Sequence, residues 1–440
     1  MAEERAPATG SGKDGRVRAL VVHPYLKSDR SNPRQVEDRV EEACGLARAI
    51  DLEVVHAAPV ALAAWRPSTL LGEGTVERFK ALIEAEHITL AISDHVLTPI
   101  QQRNLETEWN CKVVDRTGLI LEIFGARART AEGRLQVELA QLTYQRGRLV
   151  RSWTHLERQR GGRGFLAGPG ETQLEADKRM IADKIERLKA QLEDVKRTRG
   201  LHRQARQRVP YPVVSLVGYT NAGKSTLFNR MVGAGVLAAD MLFATLDPTM
   251  RALKLPSGQK VILSDTVGFI SDLPLDLVVA FRATLEEVVG ADIVLHVRDI
   301  ANPDTDAQRA DVNRVLRELG LASLLDDGLV IEVLNKLDLL APEARSVIEN
   351  QAARDSQSVP LSAWSGDGVE RLLQAIDVRL GARRKIEDLT LSSADGSALA
   401  WLYRHGQVLA RVDDDQGIHL KVSLSPADSA RFGHLRRKSG

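Results

Sequence analysis

The apolar residues in the first third of the chain follow two alternating patterns. Short apolar runs typical of buried strands lie at 19–22, 52–55, 88–92 and 111–115. Between these runs the apolar positions repeat every three to four residues, as in the segment that carries Val36, Val40 and Cys44 on one face of a helix. Strands that alternate with helices predict a parallel sheet covered by helices on both faces.

A seven-residue period follows. The first segment has Leu135, Leu142, Leu149 and Leu156 at this spacing, with Leu139 and Trp153 between them, and the second has Leu174, Ile181, Leu188 and Val195, with Ile185 and Leu192 between them. Two helices with apolar residues at matching heptad positions, separated by a glycine-rich break, predict an antiparallel helical hairpin. Gly147 lowers the helix propensity of the first helix, and the sequence pattern does not determine whether this helix bends there.

Further apolar runs at 213–217, 261–264 and 329–334 predict a second α/β domain, and an alternating segment at 419–424 predicts a small third one. The expected fold class is therefore α/β. The expected boundaries are a disordered N-terminus at 1–16, a parallel N-terminal α/β domain at 17–130, a helical hairpin at 131–209 with a glycine-rich loop at 161–170, an α/β domain with a mixed, mostly parallel sheet at 210–384, and a small C-terminal α/β domain at 385–440.

The composition is that of an intracellular protein. The 440 residues include 60 lysines and arginines against 59 aspartates and glutamates, so any affinity for nucleic acid has to come from local clusters of charge. The two cysteines, Cys44 and Cys111, suit a reducing compartment. Because no apolar stretch resembles a signal peptide or a membrane span, we expect a cytoplasmic protein without membrane insertion.

The strand predicted at 213–217 runs into a complete phosphate-binding motif, GxxxxGK[ST]. Its glycines let backbone N–H groups turn around phosphate oxygens, and the helix that follows adds its positive end. Lys224 is expected to reach the β- and γ-phosphates, and the Ser225 hydroxyl to bind Mg²⁺. The predicted phosphate-binding residues are Gly218, Tyr219, Thr220, Asn221, Ala222, Gly223, Lys224, Ser225 and Thr226.

Two switch segments are predicted downstream of this loop. Thr245 would offer Mg²⁺ a second hydroxyl when a γ-phosphate is present, and Asp265 would hold the ion through a water. The N–H of Gly268 would contact the γ-phosphate, so Lys224, Thr245 and Gly268 are the predicted catalytic residues. The predicted nucleotide-binding residues of the two switches are Phe243, Ala244, Thr245, Leu246, Asp247, Asp265, Thr266, Val267 and Gly268.

Two later motifs predict that the base is guanine. Asp338 would accept hydrogen bonds from N1–H and N2–H₂ of guanine, an edge that adenine does not offer. The segment at 362–364 would place a backbone N–H near guanine O6. The predicted guanine-binding residues are Asn335, Lys336, Asp338, Ser362, Ala363 and Trp364. The order and spacing of these motifs predict that the 210–384 domain is a GTPase domain that binds GTP and GDP.

Phe269 stands where many regulatory GTPases have a glutamine that orients the attacking water. A phenyl ring cannot form such a hydrogen bond, so hydrolysis without a partner should be slow. Asn221 leads to the hypothesis that K⁺ is held beside the phosphates, where an arginine would otherwise act. A role in shaping the loop explains Asn221 equally well.

The hairpin is rich in basic residues. Residues 151–208 contain 15 lysines and arginines against 8 aspartates and glutamates, and 196–208 contain six basic residues and no acidic one. This charge indicates contact with structured RNA through phosphates, supported by stacking of an aromatic ring in the loop. The candidate RNA-binding residues are Arg163, Phe165, Lys196, Arg197 and Arg199. A solvated coiled-coil arm with a flexible tip explains the same pattern.

The chain resembles the HflX family of translation-factor-related GTPases over about residues 18–380. The resemblance rests on GGRGFLAGPGETQLE from Gly161, GYTNAGKSTLFN from Gly218, FATLDPT from Phe243 and DTVGFI from Asp265, and on DRTGLILEIF and EGRLQVELAQL nearer the N-terminus. It implies a protein that binds the large ribosomal subunit and, in bacteria, splits stalled ribosomes. Some members also bind ATP. The family commonly has a proline where this chain has Gly147.

We therefore expect a monomeric GTPase that is slow alone, is stimulated by the ribosome and binds the large subunit in its GTP form. The alternative is a regulatory GTPase switch that acts through a protein or a membrane-associated partner, and cosedimentation with ribosomal subunits separates the two. A GTP-driven RNA-modifying enzyme would need a further catalytic constellation, and none is visible in the sequence.

Overall fold

The computed structural model describes residues 16–28, 34–128, 130–159, 169–206, 211–233, 249–271, 288–382, 385–392, 395–414, 417–424, 428–429, 431–433 and 435. In the two long helices, only the backbone is described at 149–159, 169–175, 177, 196 and 198–206. The described residues form three β-sheets. Among their helices, none is both long and apolar enough to cross a membrane.

The N-terminal sheet is parallel, with the strand order β2-β1-β3-β4. Its strands are β1 (Arg18–Leu26), β2 (Glu53–Leu62), β3 (Leu90–Ser93) and β4 (Lys112–Asp115), and its helices are α1 (Val36–Arg48), α2 (Glu73–Ala85), α3 (Pro99–Trp109) and α4 (Arg116–Arg127). Alternate residues of β1 face opposite sides, so Ala19 and Val21 pack in one cluster and Leu20 and Val22 in another. The predicted two-sided parallel sheet is confirmed.

Helix α4 has no counterpart in the sequence analysis. Leu119, Ile120, Leu121, Ile123 and Phe124 are all buried, so apolar residues cover a wide arc of the helix, and the exposed face consists of Glu122, Gly125 and Ala126, of which only Glu122 is charged. Because this exposed face is narrow and has a single charged residue, the three-to-four-residue period is weak in the sequence, and the segment was not recognised as a helix by its pattern.

Two long helices, α5 (Ala131–Gln159) and α6 (Pro169–Arg206), form the hairpin. Leu142 packs with Ile185 and Leu188 at positions of the two heptad seams. Helix α5 continues through Gly147 without interruption. The predicted loop was too long at one end, because Pro169 and Gly170 begin α6, and the fixed φ of proline suits a first helical turn. Residues 161–168 lie outside the described residues.

The hairpin is attached to the N-terminal domain through Asp115, the last residue of β4. Its buried carboxylate accepts hydrogen bonds from the hydroxyl of Tyr144 at 2.7 Å and from the guanidinium of Arg148 at 3.2 Å, both on α5. It also accepts one from the backbone N–H of Gly118 at 2.8 Å, which caps the start of α4. One side chain therefore fixes both the helix that follows it and the middle of α5.

The second sheet has the order β10-β9-β8-β5-β7-β6, in which only the β6–β7 pair is antiparallel. The strands are β5 (Val213–Gly218), β6 (Thr249–Lys254), β7 (Lys260–Asp265), β8 (Ile293–Asp299), β9 (Val330–Asn335) and β10 (Ser358–Pro360). The described helices are α7 (Lys224–Val232), α8 (Thr305–Glu318), α9 (Ala322–Asp326), α10 (Pro342–Ala352) and α11 (Val369–Ala382). The mixed, mostly parallel sheet agrees with the prediction, and the central strand β5 ends at the phosphate-binding motif.

The C-terminal unit is a three-stranded antiparallel sheet of order β11-β13-β12, from β11 (Lys385–Leu391), β12 (Gln407–Asp414) and β13 (Gly417–Leu424). Helix α12 (Gly396–His405) covers one face, where Leu402 packs with Leu420 and Phe432. The alternating segment predicted at 419–424 lies in β13.

Candidate nucleotide-binding site

The phosphate-binding loop joins the end of β5 directly to the start of α7. Gly223 has φ +89°, and a Cβ at this position would come within 2.2 Å of Nδ2 of Asn335, so glycine is required there. That Nδ2 donates a hydrogen bond to the carbonyl of Ala222 at 2.7 Å. Asn335, at the end of β9, therefore supports the loop from the neighbouring part of the sheet, and the loop has the form of a phosphate cradle at a helix N-terminus.

Lys224 lies buried across this loop. Its Nζ donates hydrogen bonds to the carbonyls of Gly218 at 3.1 Å and Tyr219 at 2.7 Å. Burial lowers the pKa of Lys224 to about 8, and the neighbouring Asp265 opposes this shift. The negative charge of a nucleotide phosphate would favour the ammonium form in the same way, so binding and protonation of Lys224 support each other.

Ser225 and Asp265 meet at the position where Mg²⁺ is expected. The Ser225 hydroxyl donates a hydrogen bond to Oδ2 of Asp265 at 2.7 Å, although β6 and most of β7 separate the two in sequence. Hydroxyl and carboxylate oxygens are ligands that Mg²⁺ prefers, so the donor set fits this ion. Within the described ranges no group of three or more His, Cys, Asp or Glu side chains could hold a metal. Oxygens of a bound nucleotide would complete the coordination shell of the ion at Ser225 and Asp265.

The second switch segment is paired with the phosphate-binding loop. The N–H of Thr220 donates to the carbonyl of Phe269 at 2.7 Å, and the N–H of Phe269 donates to the carbonyl of Gly218 at 3.0 Å. The ring of Phe269 is buried in the core, where it cannot orient a water. Thr266 donates its hydroxyl hydrogen to the carbonyl of Leu216 at 2.6 Å, so a contact from Thr266 to a nucleotide would have to use its backbone.

The predicted guanine-binding residues converge at the ends of β9 and β10. Oδ1 of Asn335 accepts a hydrogen bond from the N–H of Ala363 at 2.9 Å, and the hydroxyl of Ser362 donates to Asp338 at 2.5 Å. Lys336 has φ +69°, and its Nζ lies 2.7 Å from Oδ2 of Asp299. Trp364 is 78% exposed beside this group. Asn335 thus connects the guanine segments to the phosphate-binding loop.

The remaining predicted residues are only partly described. The first switch, 243–247, lies outside the described residues, and Thr245 with it. The same holds for Arg163 and Phe165. Lys196 and Arg199 lie on α6, where their side chains are not described, whereas Arg197 is exposed and lies 3.3 Å from Asp194. The RNA-binding residues therefore stay predictions.

A buried polar cluster that the sequence analysis did not predict joins the N-terminal domain to this site. The carboxylate of Glu42, on α1, accepts hydrogen bonds from the hydroxyls of Tyr219 at 3.0 Å and Ser271 at 2.5 Å. Arg116, at the start of α4, forms an ion pair with Glu42 and donates to the carbonyl of Ser271 at 2.9 Å. Arg34 donates to the Tyr219 hydroxyl at 3.0 Å. In the sequence, the one local indication of this cluster was the position of Arg116 directly after a strand that ends in Asp115.

Comparison with known proteins covers most of the chain. Family profiles match residues 37–125 (GTP-binding GTPase N-terminal), 127–206 (GTP-binding GTPase Middle Region), 213–336 (50S ribosome-binding GTPase) and 347–440 (HflX C-terminal domain). A GTPase HflX of Magnetococcus marinus is 50% identical over 400 residues, which is 91% of each chain. The chain belongs to the HflX family of GTPases. As a member, it hydrolyses GTP to GDP and phosphate, with the Mg²⁺ dependence typical of such domains.

Further similar proteins match most of this chain. A GTPase HflX of Escherichia coli is 41% identical over 424 residues, covering 95% of this chain and 96% of the relative. The putative GTP-binding protein 6 of Xenopus laevis is 34% identical over 410 residues, covering 92% of this chain and 76% of the relative. A crystal structure of SsGBP in complex with GDP has a TM-score of 0.48 and 23% identity, and covers 82% of this chain and 98% of that one.

Replacing Asp338 with asparagine should exchange the base preference. The amide N–H introduced by Asp338→Asn would face a guanine donor, which is unfavourable, whereas xanthine has a carbonyl at that edge and would accept the hydrogen bond. We expect the variant to bind GTP at least about a hundredfold more weakly and to gain affinity for xanthosine triphosphate. Equilibrium titration with both nucleotides measures this. Glu343→Gln, an equal change of charge at an exposed site on α10, is the control. Unchanged GTP affinity in the Asp338 variant would refute the assigned role.

Proposed function

We propose that this HflX-family GTPase acts in the cytoplasm as a monomer, binds the large ribosomal subunit in its GTP form and splits stalled ribosomes. The observation that carries the proposal is the long α5–α6 hairpin. It is a basic arm whose first helix, α5, is fixed to the N-terminal domain at its middle by Asp115. A rigid arm with excess positive charge suits insertion between RNA helices, because phosphates supply most of the affinity for nucleic acid.

The distribution of charge along the hairpin indicates where RNA would bind. In its middle, Lys184 lies 2.7 Å from Glu138 and Lys189 lies 2.8 Å from Glu186, so these basic side chains have acidic neighbours. Residues 196–208 have six basic residues and no acid of their own. Exposed ion pairs contribute little to stability and can be exchanged for contacts with phosphates. We therefore place the main phosphate contacts at the C-terminal part of α6 and in the loop at the tip.

The family profiles support the same partner. The profile that matches residues 213–336 is described as a 50S ribosome-binding GTPase, and the relatives match over both the hairpin and the GTPase domain. A partner that contacts both parts would connect the nucleotide state with RNA binding. This agrees with the slow unaided hydrolysis expected from Phe269, since the ribosome would then supply the positioning or charge that Phe269 cannot.

The proposed chemistry assigns separate tasks to the residues of the pocket. Lys224 would neutralise charge on the β- and γ-phosphates, and Ser225 and Asp265 would hold Mg²⁺, which stabilises the charge that develops during phosphoryl transfer. The N–H of Gly268 would bind the γ-phosphate, and Thr245 would join the Mg²⁺ shell in the GTP form. Asp338 selects guanine. ATP, which the resemblance raises as a second nucleotide, would therefore have to bind at a surface outside this pocket.

A bound K⁺ is a finer part of the proposal. Asn221 is exposed in the phosphate-binding loop with φ +60°, a conformation that asparagine tolerates better than most residues. This backbone conformation by itself explains an asparagine, so the proposal depends on a direct test. If Asn221 helps to hold K⁺ beside the phosphates, GTP turnover should be at least about tenfold faster in potassium than in sodium, as for other charge-stabilising groups. Equal rates in the two salts would remove K⁺ from the mechanism.

Replacing residues 161–168 with a Gly/Ser linker of the same length should separate splitting from hydrolysis. Basal GTP hydrolysis should stay normal, because the pocket is built from β5, α7, β7 and β9. Splitting should be lost, because Arg163 and Phe165 can no longer contact phosphate and stack on a base, a contact worth on the order of 1–3 kcal/mol per base. Light scattering of intact ribosomes mixed with the variant and GTP measures splitting.

The control for this experiment is binding to isolated large subunits. We expect the loop variant to lose less in binding than in splitting, because the basic residues at 196–208 still reach phosphates, and this residual binding should weaken with added salt. Splitting at the normal rate would show that the loop is a simple connection between the two helices.

A further inference from the structure

The segment that follows β10 is held in one conformation by several hydrogen bonds. The hydroxyl of Ser362 donates to the carboxylate of Asp338 at 2.5 Å, and the N–H of Gly366 donates to the carbonyl of Ser362 at 2.8 Å. Arg230, on α7, donates to the carbonyl of Trp364. The backbone of Trp364 is therefore fixed beside the carboxylate that is expected to bind guanine.

This arrangement leaves the side chain of Trp364 in water. It is 78% exposed, although tryptophan is highly buried on average in folded proteins. Three other described tryptophans each contact a second ring: Trp65 with His95, Trp109 with Phe79, and Trp401 with His405. Trp364 has no such ring partner in the part of the chain that the structure describes. A face of its indole therefore stays accessible to a flat ligand.

A base bound by Asp338 would present such a flat surface. The carboxylate of Asp338 would hold guanine by its edge, which leaves the two faces of the ring system without hydrogen bonds. Lys336 and Trp364 follow β9 and β10, which pair in parallel, so both side chains start at the same edge of the sheet. The Nζ of Lys336 is already paired with Asp299 at 2.7 Å, whereas the indole has no competing partner of this kind.

Stacking on an aromatic ring would add affinity without adding base specificity, because every base has such a face. Asp338 would supply the specificity, since its hydrogen bonds depend on the edge of the base. The two residues would therefore have separable effects on nucleotide binding.

We propose that the indole of Trp364 stacks on the guanine base of the bound nucleotide and slows its release. Asp338 selects the base by its edge, and Trp364 covers one of its faces. The inference rests on the proposed guanine-binding role of Asp338. It makes Trp364 a residue that sets the lifetime of the GDP form after hydrolysis.

Tryptophan fluorescence tests the contact, because a stacked base quenches the emission of an indole. The unmodified chain, Trp364→Phe and Trp65→Phe are titrated with GDP in the presence of Mg²⁺. The quench should occur in the unmodified chain and in Trp65→Phe, and it should be lost in Trp364→Phe. Trp65 is a suitable control, because it is partly exposed but lies after β2 in the N-terminal domain. A quench that persists in Trp364→Phe, or GDP binding without any quench in the unmodified chain, would contradict the proposal.

The dissociation rate of radiolabelled GDP tests the energetic role. Trp364→Ala should release GDP about five- to a hundredfold faster, the range found for the loss of one base–aromatic stack. Trp364→Phe keeps an aromatic face and should release GDP more slowly than Trp364→Leu, which keeps an apolar side chain without a ring. An unchanged rate in Trp364→Ala, or equal rates in the phenylalanine and leucine variants, would overturn the proposal.

A comparison of GDP with inosine diphosphate separates stacking from support of the segment. Inosine lacks the 2-amino group that would donate to Asp338, so the unmodified chain should prefer GDP. Trp364→Ala should weaken both nucleotides equally and keep this preference. A lost preference would show that Trp364 acts only by supporting Asp338, and would overturn the proposal. Unchanged GTP affinity in Asp338→Asn would instead contradict the assignment of the guanine pocket, so the two assignments can fail separately.

Discussion

The buried charge of Arg116 is the constraint on which the arrangement of this protein depends. A guanidinium with a 5% exposed side chain needs several acceptors, and the structure provides them from α1, from the end of β3 and from the second switch. The preceding residue, Asp115, is buried as well and holds the middle of α5 through Tyr144 and Arg148. Two consecutive residues at the end of one short strand thus connect the arm, the N-terminal sheet and the GTPase domain.

This junction places each functional part on a fixed support. The phosphate-binding loop extends from the central strand of the second sheet and is held by Asn335, which also holds the guanine-binding segment through Ala363. The hairpin extends from the N-terminal domain. Since one apolar cluster includes residues of both the N-terminal sheet and the GTPase core, the two domains also share packing around the polar junction.

The sequence predicted what is encoded locally. The alternation of strands and helices, the heptad seams and the phosphate-binding motif each occupy a short stretch, and the structure has the corresponding elements. The proximity of Ser225 and Asp265, which are distant in sequence, could also be predicted, because both residues belong to GTPase motifs that hold Mg²⁺. The Glu42 cluster could not be predicted, because an ion pair between α1 and α4 and its contact with Ser271 produce no recognisable periodicity or motif spacing in the sequence. Helix α4 was missed for another reason, since its buried arc is wide and its exposed face has only one charged residue, Glu122.

The central claim is that the nucleotide controls binding to the large ribosomal subunit. Cosedimentation of the chain with purified large subunits, at fixed salt and Mg²⁺, tests it most directly when it is done with a non-hydrolysable GTP analogue, with GDP and without nucleotide. The account predicts that the protein sediments with the subunits in the presence of the GTP analogue and at least about tenfold less with GDP. Equal binding in all three conditions, or no binding with the analogue, would contradict it.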